Sequence, residues 1–425
     1  MNKKIGLKEA ISIGIGGMVG GGIFAVLGLA VILAKGGTPV AFLFAGIIAL
    51  VTSYSYVKLS LAYPDRGGTV KFVNQGFGYT VFSGGINNLL WVSYVIMLSL
   101  YASAFGSYAP NLFSIVNSTV DYHIYASLVV LCASAINYFS IKVVGEIESY
   151  AVIIKLIILL AFVAIGIYGL TGNPNLPQLS PENWEKPLLL VTAGMVIFVA
   201  YEGFELIANA VPDIENPEQN IPRAYYYSVV FVIVLYIVIA VVTVGSLSFD
   251  KIADSKDYVL AEAARPLLGN TGFIIITVAA LISTFSAINA TLYGGSRVSY
   301  EIAEDDELPR ELTYQLWNQP VGLLITAVLT LILSNTLNLE SISTAGSVGF
   351  LLIFSVVNLS GYRLSAATGS NNVVPLSGFV LCSLALAVLI QQQWNANMTG
   401  VMVALFIVFF CFTAEWIYKR FYFRQ

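Results

Sequence analysis

Charge is scarce in this 425-residue sequence. Asp, Glu, Lys and Arg make up only 10% of it, against about a quarter in soluble domains. With 57% hydrophobic residues and a mean hydropathy of +0.82, that deficit excludes a soluble globular enzyme. Low charge combined with 13% aromatics excludes a disordered chain as well. The net charge of −4 offers no basic footprint for nucleic acid. Cysteine is rare: Cys132, Cys382 and Cys411 lie far apart inside apolar runs. They read as small core residues, with no disulfide framework and no metal site. The single histidine, His123, lies beside a segment end and reads as a boundary residue. Chemistry that needs a histidine pair is thereby excluded. Paired intramembrane Asp residues and a nucleophile–base set are missing too, so neither an enzyme nor a cofactor is expected.

What remains is apolar sequence. A membrane helix needs roughly 20 mostly apolar residues, and long runs fall near 11–34, 40–63, 80–106, 122–141, 148–170 and 188–211. Six more fall near 224–248, 271–303, 321–337, 341–362, 375–391 and 399–418. Backbone groups in lipid must be satisfied within the segment, so twelve helices are expected rather than strands. Lys3 and Lys4 before the first run look like a signal-peptide start. Without a small-x-small cleavage site, the run reads as a retained first helix. Residues 251–269 carry several charges and are expected to form a loop with a short surface helix. Twelve spans put fourteen Lys and Arg residues on the side of the termini, including Lys8, Lys58, Arg66, Lys142, Arg310, Lys419 and Arg424. Five lie on the other side: Lys35, Lys186, Lys251, Lys256 and Arg265. This bias predicts a multi-pass protein of the cell membrane with both termini cytoplasmic.

Two apolar segments are interrupted. Segment 1 contains Gly14-Ile15-Gly16-Gly17-Met18-Val19-Gly20-Gly21-Gly22-Ile23-Phe24, where each glycine would cost an ordinary helix about 1 kcal/mol. Close packing through Gly16 and Gly20 is the plainer explanation. The alternative is a helix unwound in mid-membrane, whose freed N–H and C=O groups hold a ligand. A dinucleotide fingerprint fails, since Val19 stands where a glycine is needed and no strand precedes it. Segment 6 contains Phe198-Val199-Ala200-Tyr201-Glu202-Gly203-Phe204-Glu205. Two carboxylates within an apolar run are costly, on the order of 2.5–3.5 kcal/mol each at a bilayer centre, and Gly203 between them is a plausible unwinding point. Segments 1 and 6 each open a block of five helices. An odd number of spans per block gives the blocks opposite orientations, and broken helices in matching positions of inverted halves mark a secondary transporter's central site.

Four stretches then carry a resemblance. Gly20-Gly21-Gly22-Ile23-Phe24 resembles the G-x-G-I-F signature of the amino acid–polyamine–organocation transporters. Tyr201 to Glu205 and Asp213 to Arg223 resemble that family's Y-x-G-F-E and E-x-x-N-P-x-x-N-I-P-R. Pro64 to Gly68 resembles its P-x-x-G-G, and Arg297, Tyr300 and Asp305 to Pro309 its R-x-x-Y and D-G-x-L-P. The resemblance implies an all-α fold of the leucine-transporter type, with a first five-helix repeat over 1–170 and an inverted second repeat over 188–362. Two added C-terminal helices and a tail would occupy 375–425. Departures touch the substrate gate. Val199 stands where the family often has an aromatic, with Phe198 adjacent, Asp306 replaces a glycine, and Val70 replaces a common aromatic.

The breaks suggest the binding chemistry. The start of the second half-helix, Gly20, Gly21, Gly22 and Ile23, would present N–H groups and a positive dipole end to a carboxylate. The end of the first half-helix, Gly16, Gly17 and Met18, would offer carbonyls to an α-ammonium group. By resemblance, Phe198, Val199, Ala200 and Glu202 line the same amino acid site. Lys155 stands alone in Ala151-Val152-Ile153-Ile154-Lys155-Leu156-Ile157-Ile158, about 11 Å into its helix. It is either a snorkelling side chain or an ammonium in the place where sodium-coupled relatives bind their cation. Its partners would then be the Gly16 carbonyl and, by resemblance to proton-coupled members, Ser283. The plainer role for Ser283, Thr284 and Ser286 is bonding back to their own helix. Glu205 is expected to be a structural anchor or a proton-linked group.

The expected function is secondary active transport of amino acids by alternating access, coupled to protons, with the lipid bilayer as the remaining partner. Val199 and Ala200 leave room for neutral substrates, whereas Glu202 facing the pocket would favour a cationic amino acid or a polyamine. Exchange of amino acids or polyamines and sodium-coupled symport stay open as alternatives, and a channel or a non-transporting receptor represents a different class.

Overall fold

The computed structural model describes residues 4–139, 141–308, 310–316 and 319–421. Lys3, Arg424 and Pro309, used above, lie outside the described residues, as do the side chains of Lys142 and Arg310. The chain begins with α1 (Leu7–Met18) and α2 (Gly22–Ala34), then α3 (Thr38–Ala62), a short α4 (Thr69–Phe77), α5 (Val81–Tyr108), α6 (Val120–Phe139) and α7 (Ile141–Gly169). Next come α8 (Pro187–Val196), α9 (Leu206–Ala210), α10 (Pro217–Ser246), α11 (Phe249–Asp254) and α12 (Val259–Glu304). Two-residue strands at Gln315–Leu316 and Gln319–Pro320 pair antiparallel. The chain closes with α13 (Val321–Thr336), α14 (Leu339–Arg363), α15 (Ser365–Thr368), α16 (Val373–Ala396) and α17 (Met398–Phe421).

Among the described residues, nine helices are long and apolar enough to cross a membrane. Two pairs raise the number to eleven if each is one span: α1 with α2, bent by 46°, and α8 with the segment Phe198–Asp213, bent by 52°. Both bends fall at the interruptions expected from the sequence. The run expected at 321–337 is α13, a helix of 16 residues. At 1.5 Å per residue it is roughly 24 Å long, short of the about 30 Å of a hydrocarbon core.

Burial sorts the helices into inner and outer. The most apolar stretches of α5 and α14 are 89% buried within the protein, whereas those of α16 and α17 are 28% buried and turn Phe406, Phe409 and Phe410 outward. The broken pairs lie inside, packed against α5, α10, α12 and α14. Helix starts follow local chemistry: Thr80 and Ser83 form a reciprocal capping box at α5, and Pro217 at the first turn of α10 follows Asn216 in the left-handed region.

Two sequence expectations need correction. Residues 259–268 are not a surface loop but the first part of α12, which is kinked at Gly269 (φ 63°). Their charges are paired, Arg265 Nε lying 3.0 Å from Glu262 Oε2, while Val259, Leu260, Ala261, Ala263 and Ala264 are buried. Cys382 and Cys411 are buried as expected, but Cys132 is exposed on α6. All three are free, and His123 sits in the first turn of α6, bonded to Asn335.

Candidate functional site

The two breaks meet. A Cβ at Gly17 would lie 2.7 Å from the Gly203 carbonyl oxygen, and one at Gly203 would lie 2.5 Å from the Gly17 carbonyl carbon. Any side chain at either position would push the half-helices apart. Gly203 also has φ +107°, a conformation that L-residues with a Cβ rarely adopt. The glycines therefore serve both explanations offered by the sequence: they unwind the helix, and they let the two unwound stretches touch. Gly21 and Gly22 are similarly enclosed, facing Tyr101 and the backbone of Ala200.

At the first break α1 ends at Met18 and α2 begins at Gly22, with Gly21 as its N-cap and no side chain capping it. The first helical bond of α2 runs from Ala25 N to Gly21 O, so the N–H groups of Gly22, Ile23 and Phe24 have no acceptor within the helix. Gly20, Gly21, Gly22 and Ile23 are all buried. This is an uncapped helix start, the end at which the helix dipole is positive.

At the carbonyl end Lys155 meets Gly16 as expected, and other protein donors are present too. Gly16 O accepts from Lys155 Nζ at 3.1 Å, Met18 O from Tyr236 Oη at 2.6 Å, and Val19 O and Gly20 O from Ser283 Oγ at 3.1 and 2.6 Å. Two of the three carbonyls expected to await an ammonium group, those of Gly16 and Met18, thus already hold protein donors. A carbonyl has two lone pairs, which leaves acceptor capacity for a further donor. Lys155 is fully buried, so its head group does not snorkel to water. Ser283 bonds to the break itself rather than back to its own helix, as Thr284 does to Ala280.

The second break is held from α14 and α10. α8 ends at Val196, and Phe198–Tyr201 forms a single 3₁₀ turn. Ser343 and Ser347, four residues apart on one face of α14, both donate to Val196 O at 2.7 and 2.9 Å. Val199 N in turn donates to Ser347 Oγ at 3.1 Å. Phe198 packs edge-on against Phe354, 5.9 Å between ring centroids, and Phe198, Val199 and Ala200 are buried. Tyr236 Oη lies 3.3 Å from Ala200 O as well as 2.6 Å from Met18 O, bridging the two breaks.

Glu202 and Glu205 are both buried, two neighbouring carboxyls at the second break. Glu205 Oε2 accepts from Gly203 N at 2.6 Å, and Glu205 Oε1 from Tyr94 Oη at 3.2 Å. Tyr94, Tyr236, Ser343 and Ser347 were missed by the sequence reading. Only the four-residue spacing of the two serines signalled a shared face.

The quoted motifs gather on one side of the breaks. Arg66 reaches Asp213 at 3.1 Å, and Ile5 pairs with the chain at Asp213 and Glu215. Asn74 Nδ2 donates to Asp305 at 3.2 Å. Removing the Tyr236 hydroxyl is expected to leave Met18 O and Ala200 O short of a donor. Orphaned buried groups cost about 1–3 kcal/mol. Tyr236→Phe should therefore lower the thermal unfolding midpoint measurably, with a larger drop than for Tyr227→Phe, whose ring is exposed on the same helix.

Comparison with known proteins agrees with this architecture. Residues 5–414 match the amino acid permease family. An uncharacterised protein of Methanocaldococcus jannaschii is 34% identical over 93% of this chain and 91% of its own. The inner membrane transport protein YbaT of Escherichia coli is 32% identical over 93% and 91%. The aromatic amino acid transport protein AroP of Escherichia coli is 25% identical over 84% and 78%. With its match running nearly end to end, the chain belongs to the amino acid permease family of multi-pass membrane transporters.

Proposed function

We propose that this chain is a proton-coupled symporter of amino acids, working by alternating access around the paired breaks. The observation that carries the reading is the fully buried Lys155 ammonium, 3.1 Å from the carbonyl of Gly16 at the end of the first half-helix. A cation there holds α7 against the α1 break, as a bound metal cation would. Unlike a metal, it can release a proton and let the two part. The substrate carboxylate would approach the N–H groups of Gly22, Ile23 and Phe24, where the helix dipole favours negative charge. Its ammonium group would share the carbonyls of Gly16, Gly17 and Met18. Val199 and Ala200 beside this position leave room for a small neutral side chain. That AroP, a relative, is an aromatic amino acid transport protein supports an amino acid as the substrate class.

The reading further includes the five-plus-five inverted arrangement, with residues 1–170 and 188–362 as the repeats and both termini in the cytoplasm. The motif-bearing side, with Arg66, Asp213 and Asp305, is then the cytoplasmic face. Uptake of labelled alanine into sodium-free proteoliposomes tests the function. Accumulation above equilibrium should follow an inward proton gradient and vanish when a protonophore collapses it. Stimulation by sodium instead would favour sodium symport, and flux without saturation would favour a channel.

A further inference from the structure

A second group of buried polar side chains lies well away from the breaks, where α4, α5, the exit of α12 and the last helix come together. We propose that Glu307, with Asn87 and Asn88, forms a proton-binding site at this face, separate from Lys155, which fastens α17 to the transport core. Only the side of the membrane to which it faces rests on the function proposed above.

The geometry is specific. Glu307 follows α12 and is 1% exposed. Its Oε2 accepts from Asn87 Nδ2 at 2.5 Å, and its backbone carbonyl from Asn88 Nδ2 at 3.3 Å. Asn88 Nδ2 lies 3.2 Å from Glu415 Oε2 on α17, and Asn87 Nδ2 also reaches Asn74 Oδ1 on α4 at 3.0 Å. One pair of asparagines thus joins four elements. Gly84 and Gly85 make the approach of α17 possible: a Cβ at Gly84 would collide with the Glu415 carboxyl, and one at Gly85 would lie 2.8 Å from the Phe412 ring.

Two acceptors next to Glu307 lack a donor. Asn87 Oδ1 and Asn88 Oδ1 are both buried without a hydrogen-bond partner, although their amides point into the site. A proton on Glu307 adds one donor to this cluster. The facing charges are Glu415 and Lys419, 3.1 Å apart on α17, and Asp305, which is bonded to Asn74 and flanked by Lys71 on α4. Ser83 is the neutral neighbour from α5. Burial pushes the Glu307 carboxyl up to about 7, with Glu415 adding to the effect and the Asn87 bond opposing it. A proton therefore binds and leaves within the ordinary cytoplasmic range. When it leaves, two carboxylates face each other across the asparagines, and the hold on α17 weakens.

The sign is fixed by linkage. A carboxyl raised in the folded state stabilises fully below its unfolded value near 4.3, and that stabilisation is lost as pH rises through about 7. Thermal unfolding of the purified full chain in detergent, without substrate, is measured from about pH 5 to about pH 8.5 for wild type and Glu307→Gln. The wild-type midpoint should fall relative to the variant by about 3 °C or more across this range. Parallel curves would overturn the proposal. Hydrogen exchange on the wild type alone provides the second test, should the variant fold poorly. After correction for intrinsic rates, protection of residues 407–421 and of the start of α5 should drop together around pH 7. Protection that stays constant across pH 7 sinks the site, and neither outcome bears on whether the chain carries amino acids.

Discussion

Lys155→Ala is expected to remove the dependence of uptake on an inward proton gradient. The variant should either stop accumulating substrate or equilibrate it without regard to pH. The ammonium is fully buried and bonded to Gly16 O, and hydrogen bonds to charged groups contribute about 1.5–3 kcal/mol. Losing it only in the conformation where α7 touches the α1 break shifts the conformational balance by about ten- to a hundred-fold. Lys155→Arg is the sharper companion. An arginine keeps the positive charge but does not deprotonate in proteins, so it should hold the closed contact and block turnover at every pH. Uptake measured against pH in sodium-free proteoliposomes reads both variants. An alanine variant with normal proton-driven accumulation would reduce Lys155 to a packing residue.

That residue was visible in the sequence because its signal is local: one charge inside a run of Ala, Val, Ile and Leu. The two breaks were visible for the same reason, as glycines and carboxylates crowd into segments that are otherwise apolar. The groups holding those breaks were not. Tyr236 lies in α10, a 30-residue helix apolar on nearly every side, where nothing marks the turn that faces Met18 and Ala200. Ser283 was expected to meet Lys155; its bonds run to Val19 and Gly20 instead, because the angle of the break decides which carbonyl each hydroxyl reaches. The charged stretch before α12 misled in the opposite direction. Glu262 and Arg265 look solvated, yet they pair with each other across one face while the alanines opposite are buried. Glu307 passed as one more position in a motif, since its partners Asn87 and Asn88 come from α5 and tie it to α4 and α17. Local composition shows where a membrane helix must break, but the partners that fill a break are set by packing.

Glu205→Leu should be far more damaging than Glu205→Gln. The carboxyl accepts from Gly203 N, at the point of positive φ, and from Tyr94 Oη. Leucine removes both acceptors at once and leaves the Gly203 amide and the Tyr94 hydroxyl to find partners in a sealed interior. At about 1–3 kcal/mol for each orphaned group, the total exceeds a large part of a typical margin of about 5–15 kcal/mol. Glutamine keeps one acceptor oxygen for Gly203 N. The measurements are the thermal midpoint and the initial rate of alanine uptake for both variants. Under the anchor role, the Gln variant retains most of its stability and still concentrates substrate. A Gln variant as stable as wild type that moves alanine only downhill would show that the Glu205 carboxyl carries a proton during the cycle. An equal loss of stability for Gln and Leu would show that the charge, rather than the hydrogen-bond geometry, holds the second break.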